Sequence, residues 1–253
     1  MKDGKLKIDI RRGKILEILK KDGRVFVSEL CKTLGVTPVT IRTDLNRLEN
    51  DGYIQRISGG AVYLGEGVSL RQDIPNLTQK REIGEKIASM INDGDTIFIN
   101  SGTTTEVVAT ALMSKHGLNI VTNSLAAATA LRGASSFRII MLGGELNAEY
   151  GFTYGAEAES KLGSYHADWA ILSVDGVSAR SGITTYHAEE AVINRAMIER
   201  AERVLIAASE TKIGRTGFMK ICDCRMGVAV VTNENAENEE LSALKAKGIT
   251  VIK

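Results

Sequence analysis

The stretch that decides the fold covers residues 94–105 and reads GDTIFINSGTTT. Residues 96–99 predict a short buried strand, which the small polar residues after them bring to an end. Apolar residues then recur at helical spacing over 105–115, so a helix is expected next. Such a strand, loop and helix present backbone N–H groups, hydroxyls and the positive end of the helix dipole to one point. The stretch suits a phosphate or a carboxylate, and it is equally compatible with an ordinary helix cap rich in serine and threonine.

The composition allows two domains and argues against several classes of protein. The chain has 253 residues, 43% of them hydrophobic, which is enough for two packed cores. No apolar run approaches the roughly 20 residues that span a bilayer, and the start lacks the apolar segment of a signal peptide, so no membrane partner and a cytoplasmic location are expected. The three cysteines fit a reducing compartment. Neither their spacing nor the glycine pattern matches a zinc or nucleotide motif, so no metal and no cofactor are expected.

The charges are distributed unevenly along the chain. Residues 1–60 hold 13 Lys or Arg and 8 Asp or Glu, whereas the remaining residues hold 19 and 23. A basic head on an acidic body is typical of a head that binds a polyanion, although a modest excess of lysine is also common on an ordinary solvated surface.

Three short helices are predicted in the head. The first covers 8–21 and has one apolar face among basic residues, and the second covers 28–34. The third begins at Pro38, with Thr37 as its N-cap. The short connection between the second and third helices is typical of a helix-turn-helix.

The outer face of the third helix predicts a DNA-binding surface. It carries short polar and basic residues suited to base edges and phosphates in a major groove, and two strands around a glycine-rich turn, 53–57 and 59–63, follow it as a wing. A solvated helix face would look similar, but helix-turn-helix, wing and basic charge together favour binding to double-stranded DNA. The predicted DNA-binding residues are Thr37, Pro38, Thr40, Arg42, Thr43, Asn46, Arg47 and Arg56.

The body alternates strands with helices. Residues 64–79 show little periodicity and are predicted to link a DNA-binding domain, 1–63, to an effector-binding domain, 80–253. The alternation predicts parallel βαβ units, with helices on both faces of the sheet. The predicted fold class is therefore α/β: a winged helix-turn-helix followed by an α/β domain with a mostly parallel sheet. Strands are expected at 96–99, 119–124, 138–142, 169–174, 203–208, 227–231 and 249–252.

Polar residues and glycines follow successive strands of this sheet. Ligands of such sheets bind beyond the carboxyl ends of the strands, so we predict one pocket there. Asp175 and the glutamates 189 and 190 could bind sugar hydroxyls or perform acid–base chemistry, but glutamates are also expected at a helix N-terminus. Lys212 could neutralise a phosphate or simply face solvent. The predicted effector-binding residues are Ser101, Gly102, Thr103, Thr104, Thr105, Thr122, Asn123, Ser124, Gly143, Gly144, Asp175, Gly176, Glu189, Glu190 and Lys212.

Motifs in both parts resemble those of DeoR-type bacterial transcriptional regulators. The head carries VTIRTDL at 39–45 and RISGGA at 56–61, and the body carries SGTTT, VTNS, LGG, VDG and KIG at 101–105, 121–124, 142–144, 174–176 and 212–214. The resemblance covers about residues 8–252. It departs from the family at Thr43, where an arginine is usual, at Ser58, where a histidine is frequent, and at Asn100, where an aspartate is common.

The resemblance implies a sensor domain related in fold to ribose-phosphate isomerase, glucosamine-phosphate deaminase and CoA transferases. Such a domain binds a phosphorylated sugar, and the chains assemble into homo-oligomers, dimers or tetramers. We therefore predict a DNA-binding transcriptional regulator, not an enzyme: a repressor of a sugar-catabolism operon whose binding to operator DNA is modulated by a phosphorylated sugar effector. The alternative is a sugar-phosphate isomerase or deaminase, with Glu189 or Glu190 as base and Lys212 as its electrostatic partner. Kinship of fold does not carry activity, however, and an isomerase has no use for a winged head.

Overall fold

The computed structural model of the chain describes residues 2–50, 53–63, 74, 76–236 and 238–253, and the side chains of all of these except 2–10, 50 and 238. The chain divides into two compact units. One comprises Met1–Ile74 and the short segment Ala130–Ser135, and the other comprises Pro75–Thr129 and Ser136–Lys253. Most of the predicted linker, 64–73 and 75, lies outside the described residues, and its last three residues belong to a helix that begins at Leu77.

The first unit, here called the head, contains three helices and a small antiparallel sheet. The helices are α1 (Lys2–Asp22), α2 (Val27–Leu34) and α3 (Pro38–Asn50), and the strands are β1 (Arg24–Phe26), β2 (Ile54–Ile57) and β3 (Gly60–Tyr63), in the order β1-β3-β2. Thr37 caps α3 as expected, since its Oγ1 accepts the backbone N–H of Thr40 at 3.3 Å. The predicted winged helix-turn-helix is thus confirmed, with β1 as a further strand of the wing sheet. Its core is formed by Ile15, Leu19, Val25, Leu30, Ile41, Leu45, Leu48, Ile54 and Ala61.

The second unit, here called the body, alternates strands and helices. Its helices are α4 (Leu77–Met90), α5 (Thr103–Leu112), α6 (Leu125–Ala130), α7 (Ala156–Leu162), α8 (Ala188–Glu199) and α9 (Asn238–Ala246). Its strands are β4 (Thr96–Ile99), β5 (Asn119–Thr122), β6 (Arg138–Met141), β7 (Glu145–Asn147), β8 (Phe152–Tyr154), β9 (Ala167–Ser173), β10 (Gly176–Ser178), β11 (Gly182–Thr185), β12 (Ala201–Ala207), β13 (Met219–Cys222), β14 (Val228–Val231) and β15 (Thr250–Ile252).

Seven of these strands form one parallel sheet in the order β15-β14-β12-β9-β4-β5-β6. The chain enters the sheet at β4, adds β5 and β6 on one side, and then returns to add β9 and its successors on the other side. The direction of growth therefore reverses between β4 and β9, where Phe98 pairs with Ala170 and both are fully buried. In open α/β sheets the ligand crevice lies at the carboxyl ends of the strands at this switch point. The predicted α/β class is confirmed, and its topology places the candidate site.

Two smaller sheets of the body were not predicted. β7 pairs with β8, and β10, β11 and β13 form a second antiparallel sheet. These strands have three or four residues, too few for a recognisable alternation, and β13 in addition pairs with β11 across a long separation in sequence. In addition, α5 begins at Thr103 because Gly102 takes the N-cap position, so the last three residues of the predicted loop form the first turn of the helix. None of the described helices is long and apolar enough to cross a membrane.

Candidate functional site

Helix α3 turns the predicted DNA-binding residues outward. Its apolar residues Ile41, Leu45 and Leu48 are buried in the head. Arg42, Thr43, Asn46 and Arg47 are exposed, as is Val39, and Thr40 is half-buried. Thr37 and Pro38 are exposed at its N-terminus. The helix therefore presents an exposed face, polar and basic except for Val39, of the size that a major groove admits.

Arg56 joins the wing to this face. Its Nη1 donates to Oδ1 of Asn46 at 2.5 Å, and its Nε donates to the carbonyl of Gly60 at 3.1 Å. The carboxylate of Glu49 accepts the backbone N–H of Arg56 at 2.8 Å. Two predicted DNA-binding residues thus bind each other, and the wing and α3 are held together as one surface.

Asp44 is a structural residue of the head that the sequence analysis missed. It is only 1% exposed and accepts hydrogen bonds from Nε of Arg11 at 2.5 Å and Nε of Arg12 at 3.1 Å. The hydrogen bond to Asp44 is the largest cause that raises the pKa of Arg11 above its ordinary value. The available signal was an aspartate among the buried positions 41, 45 and 48 of an amphipathic helix, where a carboxylate requires a cation.

Asn100 links the carboxyl ends of β4 and β9 at the switch point of the body. Its Nδ2 donates to the carbonyl of Ser173 at 2.8 Å, and its Oδ1 accepts the backbone N–H of the same residue at 2.8 Å. The same Nδ2 lies 3.0 Å from Oδ1 of Asn194 on α8. One buried amide thus bonds to both backbone groups at the end of β9, which an aspartate could not do because a carboxylate only accepts.

A continuous series of polar side chains, here called the polar chain, lies at this edge of the sheet. Ser101 donates to Oε1 of Glu190 at 2.7 Å, and Oγ1 of Thr185 lies 2.6 Å from Oε2 of Glu190. The same Oγ1 lies 3.1 Å from Oδ2 of Asp175, whose Oδ1 accepts Nζ of Lys212 at 2.9 Å. The structure therefore brings four predicted residues together and adds Thr185, which was not among them.

The surroundings of Glu190 disfavour the ionisation of its carboxyl group. It is 9% exposed, and burial raises its pKa, as does the charge of Asp175, while the hydrogen bonds from Thr185 and Ser101 oppose this effect. The hydroxyl of Thr185 has one hydrogen for two carboxyl groups. One of the two carboxyl groups therefore receives no hydrogen from this hydroxyl.

We expect Glu190→Gln to stabilise the body at neutral pH. Because the folded chain raises the pKa of Glu190, stability is lost as pH rises from the ordinary value of 4.5 through the raised pKa. Glutamine is neutral throughout, so the variant should match the wild type in acid and exceed it above the raised pKa. Urea unfolding from about pH 4 to pH 8, followed by the fluorescence of Trp169, the one tryptophan, measures the difference. The exposed neighbour Glu189→Gln is the control, and parallel curves for all three proteins would contradict the prediction.

The N-terminus of α5 lies beside the polar chain and has no side-chain cap. Its N-cap, Gly102, has φ +145°, and a Cβ there would come within 2.6 Å of Cβ and Oγ of Ser173. Nζ of Lys80 on α4 donates to Oγ1 of Thr103, the first residue of α5, at 2.6 Å. Lys80 is 7% exposed, and burial lowers its pKa, as does the charge of Lys212, against the opposite effect of Glu106. Lys80 was not predicted, because it stands in a charged helical segment.

Several other predicted effector residues bond to the backbone instead of facing the polar chain. The hydroxyl of Thr105 lies within hydrogen-bond distance of the carbonyls of Asn100 and Gly102, and that of Thr122 donates to the carbonyl of Ile99. Ser124 Oγ accepts the backbone N–H of Ala127 and so caps α6. Asn123 Nδ2 donates to the carbonyl of Thr153, while its buried Oδ1 has no partner among the described residues.

The remaining predicted residues divide into buried and exposed positions. Thr104 is buried in the first turn of α5, whereas Glu189 and Gly143 are exposed. A Cβ on Gly144 would come within 2.3 Å of the carbonyl of Tyr154, and a Cβ on Gly176 within 2.4 Å of that of Arg215. These two glycines permit close packing of the backbone at the edge of the site.

A separate cavity of about 440 Å³ lies at the opposite edge of the sheet, at the amino ends of β4, β9 and β12. It is lined by Thr96, His166, Asp168, Arg200 and other residues. The Asp168 carboxylate there accepts the backbone N–H of Thr96 at 2.8 Å. Ligands of open α/β sheets bind at the carboxyl ends, so the polar chain, and not this cavity, is the candidate effector site. Among the residues that the structure describes, no group of three or more His, Cys, Asp or Glu is placed to hold a metal ion.

A winged helix-turn-helix followed by an α/β body with a polar site at its switch point is the plan of a transcriptional regulator with a sensor domain. Family models agree with this class. The DeoR-like helix-turn-helix domain matches residues 11–66, and the DeoR C terminal sensor domain matches residues 75–234. The chain belongs to the DeoR family of transcriptional regulators.

Curated relatives support the same assignment over nearly the whole chain. The putative aga operon transcriptional repressor of Escherichia coli O157:H7 is 33% identical and covers 96% of this chain and 92% of its own. The glycerol-3-phosphate regulon repressor of Escherichia coli K12 is 34% identical over 88% of this chain and 90% of its own length. The HTH-type transcriptional repressor GlcR of Bacillus subtilis is 31% identical over 94% of this chain and 93% of its own length. These relatives point to a regulator and not to an enzyme.

Among solved structures, ribose 5-phosphate isomerase A of Methanocaldococcus jannaschii matches 53% of this chain and 52% of its own, with 13% identity and a TM-score of 0.39. A likeness at this level says nothing about activity.

Proposed function

We propose that the chain represses a sugar-catabolism operon, and that a phosphorylated sugar bound at the polar chain modulates its affinity for operator DNA. The observation that carries the proposal is the composition of the site. Lys80 and the uncapped N-terminus of α5 lie beside the carboxyl groups of Glu190 and Asp175. Cations and backbone N–H groups suit a phosphate, whereas carboxylates and hydroxyls suit the hydroxyls of a sugar. The names of the relatives, which include a glycerol-3-phosphate regulon repressor and a lactose phosphotransferase system repressor, favour the same class of effector.

Repression by such a protein requires more than one head. Operators commonly contain two half-sites, and their spacing reflects the symmetry of the protein that binds them. We therefore propose a homo-oligomer, a dimer or tetramer, that acts in the cytoplasm, where operator DNA is found. An effector that favours one arrangement of the oligomer would change how well the heads match the half-sites.

Fluorescence anisotropy of labelled promoter DNA tests this function. The protein is titrated at fixed salt with triose, pentose and hexose phosphates and with the corresponding free sugars. One phosphorylated sugar should change DNA affinity by about 5- to 150-fold, the usual range of coupling between two sites, and its free sugar should not. The proposed sensor fails if no phosphosugar changes the affinity. Interconversion of ketose and aldose phosphates by the pure protein would restore the enzyme hypothesis.

Arg42→Ala is expected to weaken DNA binding about equally for operator and unrelated DNA and to reduce the slope of log K against log salt by about 1. The reason is that an exposed arginine on α3 which neutralises one phosphate releases about one counterion. Anisotropy titrations at several salt concentrations measure both quantities. Lys14→Ala removes the same charge from an exposed position of α1 and serves as control. An unchanged salt slope with relaxed sequence preference would assign Arg42 to base recognition instead.

A further inference from the structure

Two residues at the centre of the exposed face of α3, Val39 and Thr43, are here called the methyl patch. Val39 stands two residues before the fully buried Ile41 and Thr43 two residues after it, so each lies roughly 160° around the helix from the core. The two residues are four positions apart and are therefore neighbours on adjacent turns. Val39 is 69% exposed. A single exposed valine is ordinary on a protein surface, but this one occupies the middle of the surface that meets DNA.

The hydroxyl of Thr43 is already engaged within the helix. Its Oγ1 donates to the carbonyl of Val39 at 3.0 Å, so its one hydrogen is not available to a base. The same bond holds the side chain of Thr43 against the turn that carries Val39. The methyl group of Thr43 then remains for contact with DNA, beside the two methyl groups of Val39. The centre of the face thus offers methyl groups and no side-chain hydrogen-bond donor.

An exposed arginine lies on each side of the methyl patch. Arg42 follows Val39 by three residues, which places it about 60° to one side. Arg47 follows Thr43 by four residues, which places it about 40° to the other side. Arginines at the borders of a helix in the major groove suit the phosphates, and the strip between them faces the edges of the bases. The methyl patch is therefore the part of α3 that is best placed for base contact.

The bases offer one apolar group in the major groove, the C5-methyl group of thymine. Contact between this group and the methyl patch would remove apolar surface of both partners from water. Against any other base edge, Val39 would cover a donor or an acceptor without replacing the hydrogen bonds that this group makes to water. The chemistry of the methyl patch thus matches thymine and disfavours the alternatives.

We propose that the methyl patch contacts the C5-methyl group of a thymine in the operator and so selects an A·T pair at that position. Val39, which was not among the predicted DNA-binding residues, is then a specificity-determining residue of the head. This inference rests on the part of the proposed function that concerns binding to a specific operator, and it requires no effector.

The test uses the full-length chain and a duplex that the wild type itself selects from a random pool of sequences. Each thymine of this duplex is replaced in turn by uracil, which lacks only the C5-methyl group. Fluorescence anisotropy at fixed salt, without effector, measures the Kd of each duplex. At the contacted thymine the wild type should bind about fourfold more weakly, which corresponds to the ~0.8 kcal/mol of one buried methylene group. Replacement of the other thymines should leave Kd unchanged.

Variants of the two residues connect the sensitive thymine to the methyl patch. Val39→Ala and Thr43→Ser each remove methyl groups, and the serine keeps the hydroxyl that bonds to the carbonyl of residue 39. Both variants should bind the thymine and uracil duplexes more nearly alike than the wild type does. Thr43→Val is the matched control, because it loses the hydroxyl and keeps the methyl surface, and it should discriminate as the wild type does. Alanine favours a helix more than valine does, so Val39→Ala should fold, which circular dichroism checks.

The possible results separate this inference from the operator function. The inference is wrong if no replacement by uracil weakens the wild type, or if Val39→Ala and Thr43→Ser discriminate as strongly as the wild type. Loss of discrimination in Thr43→Val but not in Thr43→Ser would assign the contact to the hydroxyl and would also overturn the methyl patch. A wild type that selects no sequence from the pool overturns the operator function and this inference with it, whereas a selected duplex without a uracil effect overturns the inference alone.

Discussion

Replacing Asp44 with alanine should unfold the head under conditions in which the wild-type head is folded. The change removes the shared acceptor of Arg11 and Arg12 and leaves two partly buried guanidinium groups, 22% and 25% exposed, without it. Breaking a fully buried ion pair costs about 3–5 kcal/mol, and the partial exposure of the arginines reduces the expected loss to about 2–3 kcal/mol of unfolding free energy. Because α1 and α3 are joined by these bonds, DNA binding should be lost with the fold of the head.

Two signals separate the head from the body in this experiment. Circular dichroism should show an early transition in the Asp44→Ala variant, whereas the fluorescence of Trp169, which lies in β9 of the body, should report an unchanged later one. Asp22→Ala removes an exposed carboxylate from the end of α1 and should change stability by no more than about 0.5 kcal/mol. A single unshifted transition for Asp44→Ala would show that the ion pairs contribute little to the head.

Gly102→Ala should abolish the effector response and leave DNA binding intact. A methyl group at this position meets Cβ and Oγ of Ser173 at 2.6 Å, and alanine rarely adopts φ +145°. Backbone strain and overpacking each cost about 1–3 kcal/mol, so the unfolding transition of the body should shift accordingly. Relief of the clash would separate the ends of β4 and β9 and displace the N-terminus of α5 from the polar chain.

Gly143→Ala is the matched control for this change. Gly143 was predicted at the same edge, but nothing lies within 4 Å of a Cβ built on it and it is exposed. Its variant should retain the stability, the phosphosugar response and the DNA affinity of wild type. A Gly102→Ala protein that still responds to the phosphosugar with wild-type affinity would mean that the loop tolerates displacement and does not position the site.

Sequence patterns were sufficient for the fold and for part of the candidate site. Alternation of strands and helices predicts a parallel sheet, and a parallel sheet brings its carboxyl strand ends to one edge, so Ser101, Asp175 and Lys212 could be grouped without coordinates. The same reasoning placed Thr105 and Thr122 at this edge as effector-binding residues, yet their hydroxyls bond to backbone carbonyls. A sequence shows which residues reach an edge but not which way each hydroxyl turns.

The residues that the sequence did not reveal share a physical cause. Lys80 stands in an amphipathic helix, where a lysine is normally solvated, and only the packing of α4 on α5 places its ammonium against Thr103. Thr185 pairs with Met219 of β13, which is distant in sequence. Asp44 falls among the buried positions of α3, but only the packing of α1 beside α3 shows that Arg11 and Arg12 are its partners. Each depends on a tertiary contact that local periodicity does not contain.

The amide of Asn100 joins the ends of β4 and β9 by bonding to both backbone groups of Ser173. The neighbouring Asp175 and Lys212 remain 26% and 34% exposed. A sugar phosphate bound beside them, as we propose, would stay in contact with solvent and should exchange quickly. Its occupancy would then follow the present concentration of the metabolite, so that the chain would keep no record of sugar that has already been consumed.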